Sequence, residues 1–413
     1  MITIATRTFP LLLGIGLLLV GIGLQGTLLA LRANIEQFSL AMTGFMMSAY
    51  FMGFITGSYL CPVLIREVGH IRAFAAFAAV TAAAAVMHGM LIDIWFWTGL
   101  RIITGTCMVG LYMVIESWLN AMAPNEQRGR FFAVYMMITL LAMALGQYLI
   151  LVDDIGGYRL FSLTTLLVAL AVVPVVLTRI VQPAMSVVKS IGLGHLYTVS
   201  PLGVSGALIS GVNTGAFWGL GALFAQRIGM SETGIVLFMS LTVVGGVLLQ
   251  WPIGHFSDRH DRRLILVLVN FINAAIAMLV YLSIEISHVL LIVLSMVYGG
   301  FTFSLYGICV AHTNDHFDAD HILEASRSLL LVYGIGAVIG PTIAGLFMQR
   351  IGPGSLMLFL TSTLLLLGCF GVYRLYTGRK IPAEAQMEYA PMVRTSTIAL
   401  ELDPRLDAEK EQY

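Results

Sequence analysis

Charged residues are scarce in this sequence. Asp, Glu, Lys and Arg make up only 11% of its 413 residues, whereas hydrophobic residues make up 58%. Soluble proteins keep about a quarter of their residues charged. The formal net charge is zero, which leaves no electrostatic basis for binding nucleic acid. The composition therefore argues against a soluble domain and predicts an integral protein of the lipid bilayer.

Cysteine and catalytic motifs are also sparse. The four cysteines lie in or beside apolar runs, with no CxxC or Cys/His spacing, so neither a disulfide framework nor a zinc site is predicted. No G-x-x-x-x-G-K-[ST] phosphate loop and no H-E-x-x-H pattern occurs, which argues against ATP as the energy source and against an enzyme. The His and Asp residues of 312–321 fit a solvated loop, and we expect no metal or other cofactor.

Long apolar runs, in contrast, fill most of the chain. A membrane-spanning helix needs about 20 mostly apolar residues. Twelve such runs are found, at 9–31, 40–64, 73–92, 95–121, 130–152, 158–178, 199–223, 231–253, 264–284, 289–312, 326–348 and 354–376. The first is too long for the apolar core of a secretory signal, so we expect it to remain as a spanning helix.

The runs predict an all-α membrane protein of two six-helix bundles, at 1–178 and 199–376. A cytoplasmic linker at 179–198 joins the bundles. A polar cytoplasmic tail at 377–413 follows them, and its composition predicts a loosely ordered segment.

The basic residues predict the orientation. An even number of spans places both termini on one side, and cytoplasmic loops are rich in Lys and Arg. Cytoplasmic termini put most of the 22 Lys and Arg residues on the cytoplasmic side. The exceptions are Arg101, inside a span, and four residues on the outer side, Arg32, Arg159, Arg227 and Arg350.

The second half of the chain resembles the first. A shift of 192 places Gly53 on Gly245, and a shift of 194 places Gly105 on Gly299. Together such matches predict two halves related by a parallel repeat. That plan is known among transporters, which bind substrate near the membrane midplane between the halves.

Five charges gather in the ten residues "GHFSDRHDRR". Their pattern is Gly254-x-x-x-Asp258-Arg259-x-x-Arg262-Arg263. It resembles the signature loop of the major facilitator superfamily between spans eight and nine, with Asp261 in place of the second glycine. The stretches "VIESWLNA", "NEQRGRFFAVYMM" and "LLQWPIGHFSD" further resemble the YcaD-type subgroup of bacterial inner-membrane transporters. The resemblance covers roughly 9–376 and implies a fold and a transporter class without a substrate.

The resemblance implies that this loop is a cytoplasmic latch. Asp258 would face the N-terminal end of a helix in the other half, and the arginines would pair with nearby acids. The alternative is an anchor that only fixes topology. In the first half, Arg66 and Glu67 occupy the positions of Asp258 and Arg259, so acid and base are exchanged. A first-half latch must therefore use another partner.

Two charged residues stand inside the predicted spans, both in span four. An ionisable residue there costs about 2.5–3.5 kcal/mol. Arg101 and Glu116 both correspond to uncharged residues in the second half, so the fold requires neither charge and we expect both to be functional. Arg101 resembles the R-x-x-x-G motif of the superfamily, which implies substrate binding or proton coupling and suggests an anionic or zwitterionic substrate. The alternative for Arg101 is a structural ion pair with Asp153 or Asp154.

Glu116 lies near the cytoplasmic end of span four. We predict a gating ion pair with one of four arginines, Arg66, Arg72, Arg128 or Arg130. The alternative is that Glu116 carries protons during transport.

Uncharged polar and aromatic residues mark a possible substrate path. Spans one, four, seven and ten usually line the central path of this fold, and they carry Gln25, Tyr112, Asn213, Trp218 and Tyr306. Such a lining suits a small organic solute, and the alternative is polar contacts between helices. Span eleven carries Gly334, Gly336, Gly340, Pro341 and Gly345, which predict close helix packing and bending.

These features predict a secondary active transporter of a small organic solute that works by alternating access. We expect a proton gradient to drive it and the monomer to be the functional unit. We expect a bacterial inner-membrane location, multi-pass, with both termini in the cytoplasm. The alternatives are an uncoupled facilitator and a membrane sensor that kept the fold without transporting.

Overall fold

A computed structural model describes residues 2–122, 128–178, 183, 191–318, 321–378, 381–382, 386–387, 389 and 394–402, without the side chains of 2–8, 128–130 and 401–402. The described residues form thirteen α-helices and no strand. They are α1 (Ile2–Ile35), α2 (Leu40–Val68), α3 (His70–Met90), α4 (Ile94–Met122), α5 (Arg128–Tyr148), α6 (Arg159–Val176), α7 (Leu193–Val199), α8 (Pro201–Arg227), α9 (Glu232–Asp258), α10 (Arg262–Leu282), α11 (His288–Asn314), α12 (Ile322–Ile351) and α13 (Ser355–Thr377).

Twelve of the described helices are long and apolar enough to cross a membrane. They are α1–α6 and α8–α13, and each overlaps one predicted span, so the predicted all-α membrane fold is confirmed. The short helix α7 lies in the predicted linker. Helical structure satisfies every backbone group inside the segment, which the water-free bilayer interior requires.

The described chain forms two compact units. The first comprises Met1–Val187 with Val393–Tyr413, and the second comprises Val188–Met392. In the first unit α2 packs on α4, α1 packs on α5 and α6, and α3 packs on α4 and α6. In the second unit α9 packs on α11, α8 packs on α12 and α13, and α10 packs on α11 and α13. The same pairing scheme thus recurs in both units, as the sequence repeat predicts.

The repeat extends to the helix caps. Ser39 caps α2 by accepting a hydrogen bond from the backbone N–H of Met42, at 3.3 Å. Ser231, 192 residues later, caps α9 by accepting one from Gly234, at 3.2 Å. A serine hydroxyl at this position satisfies a donor that the helix itself leaves free. Each unit therefore begins its second spanning helix with the same local chemistry.

Glycines bring the most closely packed helices into backbone contact. A Cβ atom added at Gly53 of α2 would overlap the carbonyl oxygen of Ile102 on α4. A Cβ atom added at Gly245 of α9 would overlap the carbonyl oxygen of Met296 on α11. The facing helices contribute glycines to the same two contacts, Gly105 and Gly299. Small residues at these positions allow dispersion contacts between backbones, which lipid cannot replace.

The outer faces of the bundles are apolar. On α5, Met137, Leu141 and Leu145 are each about half exposed and follow one another at intervals of four residues. This spacing places all three side chains along one face of the helix. An exposed apolar face of this length suits contact with lipid rather than with water.

The described part of the tail departs from the prediction of a loosely ordered segment. Thr395, Ser396, Ile398, Ala399 and Leu400 are all buried, and a 3₁₀ turn at Ala399–Leu402 packs on α4 and α5. The prediction was wrong for 394–402 because it rested on average polarity. The hydroxyls and small apolar side chains of this segment instead meet specific partners in the first unit.

The glycine contacts predict a position-specific effect on stability. We expect Gly245→Ala to destabilise the protein by about 1–3 kcal/mol, because an overpacked backbone contact must separate. The matched control is Gly99→Ala on α4, where no described atom lies within 4 Å of an added Cβ. This control should be neutral or stabilising, since alanine favours helix over glycine by about 0.5–1 kcal/mol. Denaturant unfolding in detergent measures both, and equal effects would contradict the contact.

Candidate functional site

Arg101 is a buried cation on α4. Its side chain is 7% exposed, and its guanidinium carbon lies 4.5 Å from the ring centroid of Tyr50 on α2. The buried Nε atom has no hydrogen-bond partner, and no described acid forms an ion pair with Arg101. A cation–π contact contributes about 0.5–2 kcal/mol, less than the cost of a charge inside a span. Arg101 therefore keeps the capacity to bind an anionic group.

The alternative ion pair of Arg101 at the end of α5 is absent from the described residues. Asp153 instead pairs with Arg159, at 3.1 Å. The backbone N–H of Asp154 and the guanidinium of Arg159 together lower the pKa of Asp153. The carboxylate of Asp154 accepts a hydrogen bond from the backbone N–H of Gly156, at 3.1 Å. Both candidate acids thus have partners of their own.

Glu116 is fully buried and bound by hydroxyl groups. Its Oε1 atom accepts a hydrogen bond from the hydroxyl of Tyr135 on α5, at 2.6 Å. The hydroxyls of Thr395 and Ser396 donate short hydrogen bonds to its two carboxylate oxygens. The backbone N–H of Ala399 donates to the same carboxylate. All four described partners are uncharged, which distinguishes this group from a salt bridge.

The predicted gating pair of Glu116 differs from this arrangement. Arg66 and Arg72 are exposed and form no ion pair with Glu116, so the prediction was wrong for these two arginines. Arg66 donates to the backbone oxygen of Pro62 within its own helix, at 3.2 Å. Glu67 is also exposed. The side chains of Arg128 and Arg130 lie outside the described residues.

Arg101, Tyr112 and Glu116 lie along one face of α4. Their separations of 11 and 15 residues correspond to three and about four helical turns. Tyr50 and Phe54 follow the same line on α2, and Phe54 lies 6.5 Å from the ring of Tyr112. One face of α4 thus carries a cation, a phenol and a carboxyl group, and aromatic residues of α2 pack beside it.

Gln25 is a second buried group without a partner. Its side chain is fully buried, and neither amide atom has a hydrogen-bond partner. The neighbouring Gly26 has no described atom within 4 Å of an added Cβ. A buried amide with unmade hydrogen bonds costs about 1–3 kcal/mol, so Gln25 stays a predicted contact for a polar solute.

The predicted path residues of the second unit are mostly engaged in helix contacts. Asn213 on α8 donates to the hydroxyl of Thr363 on α13, at 3.0 Å. This is a polar contact between helices, as the alternative to a substrate path predicts. Trp218 lies 6.3 Å from the ring of Phe303. Tyr306 is buried with its ring 5.0 Å from that of Tyr333.

Two glycines of α12 lie where this helix meets α8. A Cβ added at Gly336 would overlap the carbonyl oxygen of Leu208, and one added at Gly340 would overlap that of Val212. Gly345 and Pro341 are buried and Gly334 is half-buried in the same helix. The contact repeats that of Gly146 on α5 with Val20 on α1, which lie 194 and 192 residues earlier.

The signature motif is largely helical. α9 continues to Asp258 and α10 begins at Arg262, so only 259–261 form the turn. Asp261 caps α10 by accepting a hydrogen bond from the backbone N–H of Arg263, and it also pairs with the Arg263 side chain at 2.8 Å. The departure from the family glycine therefore supplies a helix cap. Arg259 is exposed in this turn.

Arg262 is the best-paired charge among the described residues. It is 1% exposed and bridges Asp258 and Asp315, each at 2.5 Å. The backbone N–H groups of Tyr389 and Met387 donate to these two acids, at 2.8 and 3.0 Å. We call Asp258, Arg262 and Asp315 the Asp258 cluster. The predicted contact of Asp258 with a helix of the first unit stays a prediction.

A cavity of about 590 Å³ opens in the second unit, beside the start of α8. Its lining includes Arg263, His312, Asp315 and Arg374. None of the predicted path residues of this unit lines it. No cluster of three or more potential metal ligands was found in the described part of the chain.

Sequence reasoning missed the residues that complete these sites. Tyr50 and Tyr135 carry no charge, and nothing in the spacing links them to Arg101 or Glu116. Asp315 follows the repeated Asn314 directly, a signal that could have placed it near the latch. Thr395 and Ser396 lie in a polar tail whose composition hides their contacts.

The Asp258 cluster predicts an asymmetric response to removing arginines. We expect Arg262→Gln to cost about 3–5 kcal/mol of unfolding free energy, because it leaves buried acids without a counter-charge. The matched control Arg259→Gln removes an exposed arginine three residues earlier and should stay within about 0.5 kcal/mol. Denaturant unfolding compares them, and a similar loss in both would show that the cluster contributes little.

Known proteins match the chain over nearly its whole length. The family model of the Major Facilitator Superfamily matches residues 11–201 and 203–400. The chain is 30% identical over 365 residues to the uncharacterized MFS-type transporter YcaD of Escherichia fergusonii, covering 87% of this chain and 94% of that protein. It is also 30% identical over 370 residues to the protein of that name from Salmonella typhi, covering 87% of this chain and 94% of that protein.

Solved structures share the fold at low sequence identity. The nucleoside transporter NupG superposes with a TM-score of 0.75 at 13% identity, covering 89% of this chain and 99% of its own. A bacterial homologue of the human lysosomal transporter Spinster, in an inward-facing and occupied conformation, gives 0.74 at 13% identity, covering 94% and 99%. Together with the twelve spans and the signature motif, these matches establish that the chain belongs to the Major Facilitator Superfamily of membrane transporters.

Proposed function

We propose that the protein is a secondary active transporter of a small organic solute bearing an anionic group. Arg101, a buried cation with no described acidic partner, carries this proposal. An ion pair with the solute would supply the counter-charge that no described acid gives to Arg101. Alternating access, in which the two units rearrange around the bound solute, is the mechanism that the family supports.

We further propose that protons drive transport and that Glu116 couples them. Its described side-chain partners are hydroxyl groups, which can bind a carboxylate and also a protonated carboxyl group, because a hydroxyl both donates and accepts. An arginine partner would instead hold the carboxylate charged. We propose an orientation with both termini in the cytoplasm, a functional monomer, and no chemical conversion of the solute.

Arg101 predicts the outcome of a ligand screen on purified protein. A ligand that binds only the folded state raises the apparent melting temperature. For anionic hits, we expect Arg101→Met to weaken binding about 10- to 150-fold, the effect of losing charge-assisted hydrogen bonds worth about 1.5–3 kcal/mol. The matched control Arg159→Met removes an exposed arginine and should leave affinity unchanged.

The same variant separates a binding role from a structural one. Without ligand, Arg101→Met should melt at the same temperature or higher, because it removes a charge whose burial is incompletely compensated. Hits that survive the substitution, together with a lower melting temperature, would make Arg101 structural. Ligand binding without flux in proteoliposomes would favour the sensor alternative.

Glu116 predicts a change in energy coupling. In proteoliposomes loaded with a solute from that screen, we expect Glu116→Gln to abolish accumulation driven by a pH gradient while exchange of solute continues. Glutamine keeps the shape of the side chain but cannot take up a proton at this position. Glu67→Gln, an exposed change on α2, is the matched control. Equal flux of the unaltered protein with and without a pH gradient would instead indicate an uncoupled facilitator.

A further inference from the structure

The cavity beside the start of α8 lies inside one unit. Its described walls are the end of α7, the starts of α8 and α10, the ends of α11 and α13, and residues that follow α11 and α13. All of these segments belong to the second unit, Val188–Met392. Its volume of about 590 Å³ falls in the range of pockets that hold small organic molecules, about 300–1,000 Å³.

The N-terminal end of α8 forms one wall, through Ser200, Pro201 and Leu202. The hydroxyl of Ser200 makes no capping hydrogen bond and lies 3.1 Å from the hydroxyl of Thr313 instead. Since proline has no N–H, the first backbone donors of the helix are those of Leu202 and Gly203. Neither has a described acceptor. A 27-residue helix thus presents its positive dipole end and two free donors at the cavity.

His312 is a buried side chain with unused hydrogen-bonding capacity. It is 6% exposed and lines the cavity from the end of α11. Its ring contacts the ring of His316, with 4.9 Å between centroids, and forms no hydrogen bond with any residue that the structure describes. The Nδ1 atom of His316 lies 2.8 Å from the backbone oxygen of His312. Because a buried polar group without a partner is unfavourable, His312 is suited to bond a ligand in the cavity.

Two arginines line the cavity, and they differ in their partners. Arg263 is engaged, since it pairs with Asp261 at 2.8 Å and donates to the backbone oxygen of Gly378 at 2.9 Å. Arg374 of α13 is half-buried and forms no ion pair or side-chain hydrogen bond within the described part of the chain. Arg374 can therefore bind an anionic group without giving up a partner.

The acids of the lining do little to repel an anion. The side chain of Asp315 is buried against Arg262, at 2.5 Å, so its charge is compensated. Asp318 is exposed, and water and salt screen its charge. The groups with unused capacity inside the cavity are therefore a helix N-terminus, an imidazole and a guanidinium, and the helix end and guanidinium favour an anion.

We propose that this cavity binds a small organic phosphate. The phosphate group would lie at the N-terminal end of α8 with Arg374 and His312, because helix N-termini and arginines both bind phosphate oxygens well. The organic part would contact the apolar lining residues Phe317, Ile381 and Pro382. The site goes beyond the proposed transport function, since Arg101 belongs to the other unit.

Phenyl phosphate tests the site, because it joins a phosphate group to an apolar ring. Purified protein in a maltoside detergent is titrated with it, and the melting temperature is recorded, since a ligand that binds only the folded state raises it. We expect Arg374→Gln to weaken binding about 10- to 150-fold by removing charge-assisted hydrogen bonds. Its melting temperature without ligand should stay unchanged, because Arg374 has no described partner to lose.

The matched control is Arg227→Gln, which removes an exposed arginine at the opposite end of α8. This variant should bind phenyl phosphate as the unaltered protein does. Equal weakening in both variants would overturn the assignment to the cavity. Absence of any response from the unaltered protein at millimolar phenyl phosphate would overturn the site itself.

A pair of substitutions at Thr198 tests the charge of the ligand without changing a buried group. Thr198 lines the cavity and is exposed, and its hydroxyl donates to the backbone oxygen of His195. Thr198→Glu and Thr198→Gln introduce side chains of the same size that differ by one negative charge. We expect Thr198→Glu to bind phenyl phosphate about 3- to 10-fold more weakly than Thr198→Gln, through like-charge repulsion. Equal affinities would contradict a site for an anion.

A lipid headgroup and a soluble ester offer the same phosphate chemistry, and competition distinguishes them. Phosphatidic acid in the micelles that removes the response to phenyl phosphate would assign the site to a lipid headgroup. A response that persists would assign it to a soluble ester, and both results support a phosphate site. Arg101→Met should leave this binding unchanged. Binding lost in Arg101→Met but kept in Arg374→Gln would overturn the cavity proposal while supporting the transport one.

Discussion

Backbone contact at glycines is the constraint on which both units depend. In lipid, apolar side chains gain little by leaving one apolar environment for another, so close packing must hold helices together. The pairs α2–α4 and α9–α11 meet at Gly53 and Gly245, where any side chain would force the helices apart. These contacts fix the remaining faces of α4 and α11. The placement of Arg101 beside Tyr50 follows from the same helix pair.

The buried charges fall into two kinds. Arg262 is surrounded by acids and carbonyl oxygens, so its charge is compensated in place and the cluster is a fixed structural element. Arg101 and Glu116 have only aromatic, hydroxyl or backbone N–H partners among the described residues. A charge whose burial is incompletely compensated has few strong contacts to break, so it can change partners at a low cost in free energy. Both of these incompletely compensated charges thus lie on one face of α4.

Local sequence signals predicted the fold well because the length and hydropathy of a spanning helix depend only on its own residues. All twelve spans, the glycine matches at shifts of 192 and 194, and the functional interest of α4 could be read in this way. Partners of buried charges could not, because Tyr50, Tyr135 and Asp315 approach their targets only after folding. Asp261 was predictable only in part. Its departure from the motif could be read from the sequence, but its role as a helix cap needed the structure.

The docked tail has a practical consequence for how this protein is handled. A chain shortened at the end of α13 to remove a polar tail would strip Glu116 of three of its four described donors. It would also remove the backbone N–H groups of Met387 and Tyr389 from the acids of the Asp258 cluster. A bulky fusion partner at the C-terminus would strain the same contacts. An affinity tag on the N-terminal side avoids both disturbances, so that end is the better one for purification.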